Sequence, residues 1–225
     1  MSTAPHRARP TNRAGGLFVT FEGVEGSGKS THVRHLARAL RATGYEVVET
    51  REPGGTPLGQ ALRDLLLAPT STPPEPLTEL LLYCADRAQH AAEVIRPALA
   101  AGRIVLCDRF ADSTIAYQGY GRGLDLDTVR ALDARARGGL EPNLTFLLDC
   151  PPAAGLARAQ ARSGAADRFE QEALDFHEAV RRGFHALAAS APARYRIVDT
   201  TPPAAEVGER VRAETLAVLD GRGAA

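Results

Sequence analysis

The chain has 225 residues, with 27 basic and 27 acidic side chains, a formal charge of zero and 44% hydrophobic residues. That size and apolar fraction suit one α/β domain with a sizeable core, and the balanced charge argues against a general nucleic-acid binder, which carries a basic excess. No apolar run reaches the roughly 18 residues of a membrane span, and Cys84, Cys107 and Cys150, each inside an apolar run, read as buried free thiols in a reducing compartment.

Residues 1–14 hold Arg7, Arg9 and Arg13 but no apolar segment, which predicts a disordered tail and no secretory signal. With no targeting feature, the expected location is the cytoplasm. The first strand candidate, Leu17–Phe21, leads into Gly23-Val24-Glu25-Gly26-Ser27-Gly28-Lys29-Ser30, followed by a helical pattern over 31–42. This is a complete G-x-x-x-x-G-K-[ST] loop in its strand–loop–helix setting, which points to a nucleoside triphosphate with magnesium. Glycines let the backbone wrap phosphates closely, successive N–H groups form an anion nest, and the helix start adds unpaired donors and the positive end of its dipole. Lys29 is expected at the β- and γ-phosphates and Ser30 at Mg²⁺.

A second strand candidate, Glu46–Glu49, precedes the turn Arg51-Glu52-Pro53-Gly54-Gly55-Thr56, rigid at Pro53 and permissive at the glycines. Arg51 is placed there to meet a second phosphate; the alternative is an ordinary surface arginine. Helical patterns over 57–67 and 76–100 flank a Pro/Thr/Ser-rich loop, and Tyr83 and Arg87, four apart, fall on one helix face. Arg103–Cys107 forms a third strand candidate ending in Asp108, a carboxylate that P-loop proteins use near Mg²⁺, and Arg109 follows with a guanidinium suited to bidentate phosphate binding.

Further along, a helical pattern over 126–138 precedes the strand Leu144–Leu148 ending in Asp149. A helix over 152–162 carries Arg158 and Arg162 on one face, the break Ser163–Ala166 follows, and Arg168 stands beyond it. A helix over 169–190, the strand Arg194–Val198 ending in Asp199, and a helix over 203–219 complete the pattern. Strands alternating with helices predict βαβ units and a parallel sheet covered on both faces, and three strands ending in aspartate mark the carboxyl edge where such sheets bind ligands.

Taken together, the loop Gly23–Thr31, the turn Thr50–Thr56, Tyr83-Cys84-Ala85-Asp86-Arg87 and Asp108–Gly119 resemble bacterial thymidylate kinases, from about Leu17 to about Leu219. The loop alone would admit many functions; four motifs in order are specific. The resemblance implies a P-loop nucleoside monophosphate kinase fold with a five-stranded parallel sheet flanked by helices. It implies a single domain over 15–220 with a short lid at about 158–170, and a tail at 221–225. The implied reaction transfers the γ-phosphoryl group of ATP to dTMP, with Mg²⁺ and within a homodimer. It places Tyr83 on the thymine face, Arg87 at a base edge, and Ser113, Thr114 and Tyr117 near base and sugar, with Gln118 beside them. It also puts Arg51 and Arg109 on the dTMP phosphate and Glu25 near the 3′-hydroxyl.

In the same resemblance the basic residues that stabilise the transferring group stand either in the loop or in the lid. This loop has no arginine, so the charge falls to Arg158, Arg162 and Arg168, and the choice among them stays open because Gln160 stands where relatives often carry a third arginine. Two other classes remain to be separated by substrate. The first is another nucleoside monophosphate kinase or a (deoxy)nucleoside kinase, of which a nucleoside kinase would need a general base for a sugar hydroxyl and no acceptor-phosphate arginines. A nucleotide switch would hydrolyse ATP without an acceptor, and the Asn-Lys-x-Asp pattern of a GTPase is missing.

Overall fold

The computed structural model describes residues 15–70, 72–163 and 167–223. The expected tail over 1–14 lies outside these residues. Five parallel strands, β1 (Leu17–Glu22), β2 (Val47–Arg51), β3 (Ile104–Asp108), β4 (Leu144–Asp149) and β5 (Tyr195–Asp199), form one sheet in the order β2-β3-β1-β4-β5. The helices are α1 (Lys29–Ala42), α2 (Pro57–Leu67), α3 (Pro76–His90), α4 (Arg96–Ala100), α5 (Ala111–Thr114), α6 (Leu126–Arg137), α7 (Pro152–Ser163), α8 (Leu174–Ser190) and α9 (Ala204–Gly223). Two π-helical segments, Ala91–Ile95 and Ile115–Gly121, continue α3 and α5.

Strand parity sorts the core. Leu17, Val19 and Phe21 of β1, Ile104 and Leu106 of β3 and Phe146 and Leu148 of β4 pack with Val33, Leu36 and Leu40 of α1 and with Val207 and Val211 of α9. The alternate residues Phe18, Val105 and Cys107 face the other way, onto Ile95, Ala98 and Phe110. Thr20 and Thr145, register partners on β1 and β4, are buried between these layers and satisfy each other at 2.8 Å. Each fully buried leucine or phenylalanine contributes about 1.5–3 kcal/mol, so Phe146→Ala, on the interior strand β4, would cost about 3–5 kcal/mol.

Helix starts follow local chemistry. Thr56 caps α2 by accepting from Gly59 N at 2.9 Å, with Pro57 at the first turn. Asp125 caps α6 through Thr128 N at 2.8 Å. The long expected helix over 76–100 is one continuous rod with a π turn inside it, which Pro97 enters without breaking. Most boundaries shift by one or two residues, and two differ by more. The helix expected over 169–190 starts at Leu174, because Asp167 Oδ1 accepts from Phe169 N and Glu170 N at 2.9 Å and holds a turn there. The tail expected from 221 is helical through Gly223, the end of α9.

Candidate active site

The carboxyl edge of the sheet opens into a cavity of about 380 Å³, within the range of small-ligand pockets. The phosphate loop forms its floor at the end of β1. Gly26 packs against α7 so closely that a Cβ there would lie 1.9 Å from Gly155 O, and its φ of 66° is left-handed. A side chain at position 26 would therefore push the loop off α7, a constraint that loop spacing alone does not reveal.

Glu25, Gly26, Gly28, Lys29, Ser30 and Thr31 line the cavity, while Val24 turns into the core. Gly23 and Ser27 instead meet Lys29 from below: its Nζ donates to Gly23 O at 3.0 Å, Val24 O at 2.8 Å and Ser27 Oγ at 3.3 Å. Burial, with Arg109 nearby, pulls the Lys29 pKa down to about 8 against the opposing pull of Asp108, Glu25 and Glu22. Ser30 donates its hydroxyl to Asp108 Oδ2 at the N-terminus of α1. These two hard oxygen donors fit magnesium, which prefers few protein oxygens and retains waters.

Arg109 occupies the junction between the loop and the segment after β3. Its backbone is left-handed, with φ of 70°, uncommon for a residue with a Cβ and costing about 1–3 kcal/mol. Its N–H donates to Phe21 O at 2.9 Å, which holds that conformation. The guanidinium is thereby turned back over the loop, with Nη1 donating to Gly23 O at 3.0 Å and Ser113 Oγ at 3.2 Å, and Nη2 donating to Glu25 Oε1 at 2.9 Å. It also stacks 4.9 Å over the Tyr117 ring.

Tyr117 donates its hydroxyl to the same Glu25 oxygen at 2.6 Å, and His177 Nδ1 stands 3.2 Å from Glu25 Oε2. Burial alone would raise the Glu25 pKa; Arg109, His177, Lys29 and Tyr117 outweigh it and hold the carboxylate at about 2. Behind this layer, fully buried Glu22 accepts from Phe110 N at 2.8 Å and Ser113 Oγ at 2.6 Å, and burial, with Asp112 nearby, pushes its pKa up to about 8.

On the opposite wall Arg51, Tyr83, Arg87, Ser113, Thr114 and Gln118 all reach the cavity. Arg51 is exposed and donates to Gln60 Oε1 at 3.2 Å. Thr114 Oγ1 is buried without a hydrogen-bond partner among the described residues, and Gln118 Nε2 is held by Glu79 Oε1 at 2.8 Å. Arg87, which the resemblance places at a base edge, lines the cavity while most of its side chain is packed into the wall. It is 1% exposed, and each of its three nitrogens is engaged: Nε with Glu52 at 2.9 Å, Nη1 with Asp133 at 2.9 Å and Nη2 with Phe110 O at 3.2 Å. A buried guanidinium requires such partners.

Of the three arginines of the expected lid, neither Arg158 nor Arg168 lines the cavity. Arg158 donates to Thr200 O at 3.2 Å, and the Arg162 side chain lies outside the described residues, as do positions 164–166. Arg168 is buried and donates to Leu66 O at 3.0 Å and to Glu79 Oε2, on α3, at 2.5 Å. Sequence reasoning missed Glu22, His177, Glu79 and Phe169. Phe169 lines the cavity with its ring 5.6 Å from Tyr117 and 6.4 Å from Tyr83. An aromatic beside the arginine-flanked break was the available signal for Phe169; His177 and the glutamates lie in amphipathic patterns that conceal them.

A family model described as thymidylate kinase matches residues 21–211. The chain belongs to the thymidylate kinase family. Members of that family phosphorylate dTMP to dTDP, and this chain is an enzyme of that kind. A thymidylate kinase of Solidesulfovibrio magneticus is 55% identical over 201 residues, covering 87% of this chain and 96% of the relative. One of Pseudomonas fluorescens strain Pf0-1 is 57% identical over 192 residues, covering 85% and 91%. The crystal structure of thymidylate kinase from Ehrlichia chaffeensis matches the fold with a TM-score of 0.72 at 35% identity, covering 92% of this chain and 99% of that one. The thymidylate kinase assignment explains why one cavity joins a phosphate loop to a second, aromatic and arginine-lined wall.

Proposed function

We propose that the cavity carries the transfer of the γ-phosphoryl group from ATP to dTMP with its two walls divided between the nucleotides. The observation that carries this reading is Arg109, which contacts both the phosphate loop at Gly23 and Glu25 and the acceptor wall at Ser113 and Tyr117. The backbone of the loop and Lys29 hold the ATP phosphates. Arg51 and Arg109 hold the acceptor phosphate. Tyr83 stacks on the thymine, and the unpartnered Thr114 hydroxyl and the Gln118 carbonyl serve its polar edge. Tyr117, fixed by Glu25, closes the space beside the 2′ carbon.

The acceptor phosphate is already ionised, so no side chain has to act as a general base; catalysis is positioning and charge stabilisation. Ser30 and Asp108 would hold Mg²⁺, which supplies charge neutralisation between the β- and γ-phosphates when bound. Arg158 and Arg162 remain the candidates for added positive charge at the transferring group. Arg168 acts instead through its bond to Glu79. A second copy of this chain is proposed to cover the α2–α3 face, where Leu58, Leu65, Leu77 and Leu81 are each about half exposed. No helix among the described residues is long and apolar enough to cross a membrane, and we place the protein in the cytoplasm.

The direct test is an acceptor series with ATP as donor. dTMP should stimulate ADP release strongly and thymidine should not. Equal turnover with thymidine would favour a nucleoside kinase, and ADP release independent of any acceptor would favour an ATPase switch.

A further inference from the structure

His90, the last residue of α3, is fully buried and does not line the cavity, yet it bonds the residues on both sides of Arg51. Its Nε2 stands 2.6 Å from Thr50 Oγ1 and its Nδ1 stands 2.9 Å from Glu52 Oε1. The other oxygen of Glu52 receives Arg87 at 2.9 Å. Glu52 is thus the acceptor in both contacts, with His90 Nδ1 donating to it, while Nε2 and the Thr50 hydroxyl share a hydrogen bond.

Side chains alternate along an extended strand. The backbone stays paired to β3 through Glu52, whose N–H donates to Asp108 O at 3.0 Å. The Thr50 and Glu52 side chains therefore turn toward His90, and that of Arg51 turns away from it; Arg51 and Glu52 both reach the cavity lining. The following turn folds over the ring: a Cβ at Gly55 would lie 2.4 Å from His90 Cδ2 and Nε2. One imidazole therefore meets the strand end at residues 50 and 52 and the turn at residue 55. Among the described residues Arg51 itself is held only by Gln60 Oε1, at 3.2 Å, and its side chain is exposed.

We propose that His90 is a positioning residue for the acceptor nucleotide: it clamps the backbone on either side of Arg51 and so sets where that guanidinium meets the acceptor phosphate. The proposal rests on the reading of Arg51 as an acceptor-phosphate contact. A clamp of this kind serves one substrate only. Its loss should appear in the acceptor KM and leave the ATP side untouched, whereas general loosening of the fold would affect both.

The experiment uses the full chain and approaches the clamp from Thr50, which is half-buried, so the result does not depend on a fully buried His90 variant folding. Thr50→Val keeps the branched shape and removes the hydroxyl. It is expected to raise KM for dTMP about tenfold while KM for ATP and competitive inhibition by thymidine stay within about twofold. In an Arg51→Ala background the same substitution should add nothing, because its effect runs through Arg51. Equal rises in both KM values, no change for dTMP, or multiplying effects in the double variant would overturn the clamp. If Arg51→Ala alone leaves the dTMP KM unchanged, the assignment of Arg51 is what has failed, and the clamp loses its role with it.

Discussion

Arg109 and Glu25 face each other at 2.9 Å across the line where the phosphate loop meets the acceptor wall. An anion inside a phosphate-binding loop repels its ligand, so its retention there requires compensation. Arg109, His177, Lys29 and Tyr117 supply that compensation and keep Glu25 ionised down to about pH 2. In return Glu25 orients both Arg109 and Tyr117, the residues proposed to bound the acceptor's phosphate and sugar.

Arg109→Ala is expected to lower kcat/KM for dTMP by about a hundredfold, since hydrogen bonds to charged groups are worth roughly 1.5–3 kcal/mol each. Arg109→Lys should recover little of this, because an ammonium cannot span Gly23 O, Ser113 Oγ and Glu25 as the planar fork does. Steady-state kinetics with dTMP varied at saturating ATP measures it. A loss below tenfold for the alanine variant would remove Arg109 from phosphate binding.

Ser30 and Asp108 touch each other at the start of α1, on the cavity wall. Asp108→Asn is expected to raise the Mg²⁺ concentration for half-maximal activity by about ten- to a hundredfold, the range seen when groups supporting a metal site are lost. Titration of activity against Mg²⁺ after chelator treatment would show it. An unchanged midpoint would place the metal elsewhere.

Glu22 makes stability depend on pH. Its pKa rises from 4.5 to about 8 on folding, chiefly through burial. Below 4.5 the carboxyl is protonated in both states and contributes nothing. Between 4.5 and about 8 the folded state keeps a proton that the unfolded state has released, so this group lowers stability progressively as pH rises. Glu22→Gln removes the titration. Its stability relative to the parent, measured by denaturant unfolding, is expected to improve steadily from pH 5 to pH 8; a constant difference across that range would show that Glu22 does not titrate there.

Much of this site was legible because its chemistry is local in sequence. The loop, the Arg51 turn and the Asp108-Arg109 pair each sit at a strand end, and strand ends follow from short apolar runs. The division of the core by parity, with Leu17, Val19 and Phe21 on one face and Phe18 on the other, emerged only from the structure. What could not be read was which charges face each other. Arg87 is 46 residues from Asp133 and 35 from Glu52, and Arg168 is 89 from Glu79, so their pairing is set by tertiary packing. The segment Ile115–Gly121 was equally hidden: its π-helical turn places Tyr117 and Gln118 at spacings that a 3.6-residue pattern does not describe.

Arg168 is bonded to Glu79 inside the fold, and its alanine variant tests whether it braces that carboxylate or serves the transferring phosphate. Glu79 is completely buried and accepts from Arg168 at 2.5 Å, Gln118 at 2.8 Å and Arg122 at 3.2 Å. Arg168→Ala strips one cation from that carboxylate and one donor from Leu66 O. Breaking a buried ion pair costs about 3–5 kcal/mol when nothing else compensates. Arg122 and Gln118 remain, so the expected loss is roughly 2–3 kcal/mol, or about 4–12 °C in Tm for a chain of this size. Turnover of the folded fraction should fall far less than in an Arg162→Ala variant. Calorimetry and single-turnover rates on the two variants decide the matter: an unchanged Tm with turnover reduced a hundredfold or more would return Arg168 to the transferring phosphate, because a side chain that only braces Glu79 cannot affect chemistry without affecting the fold.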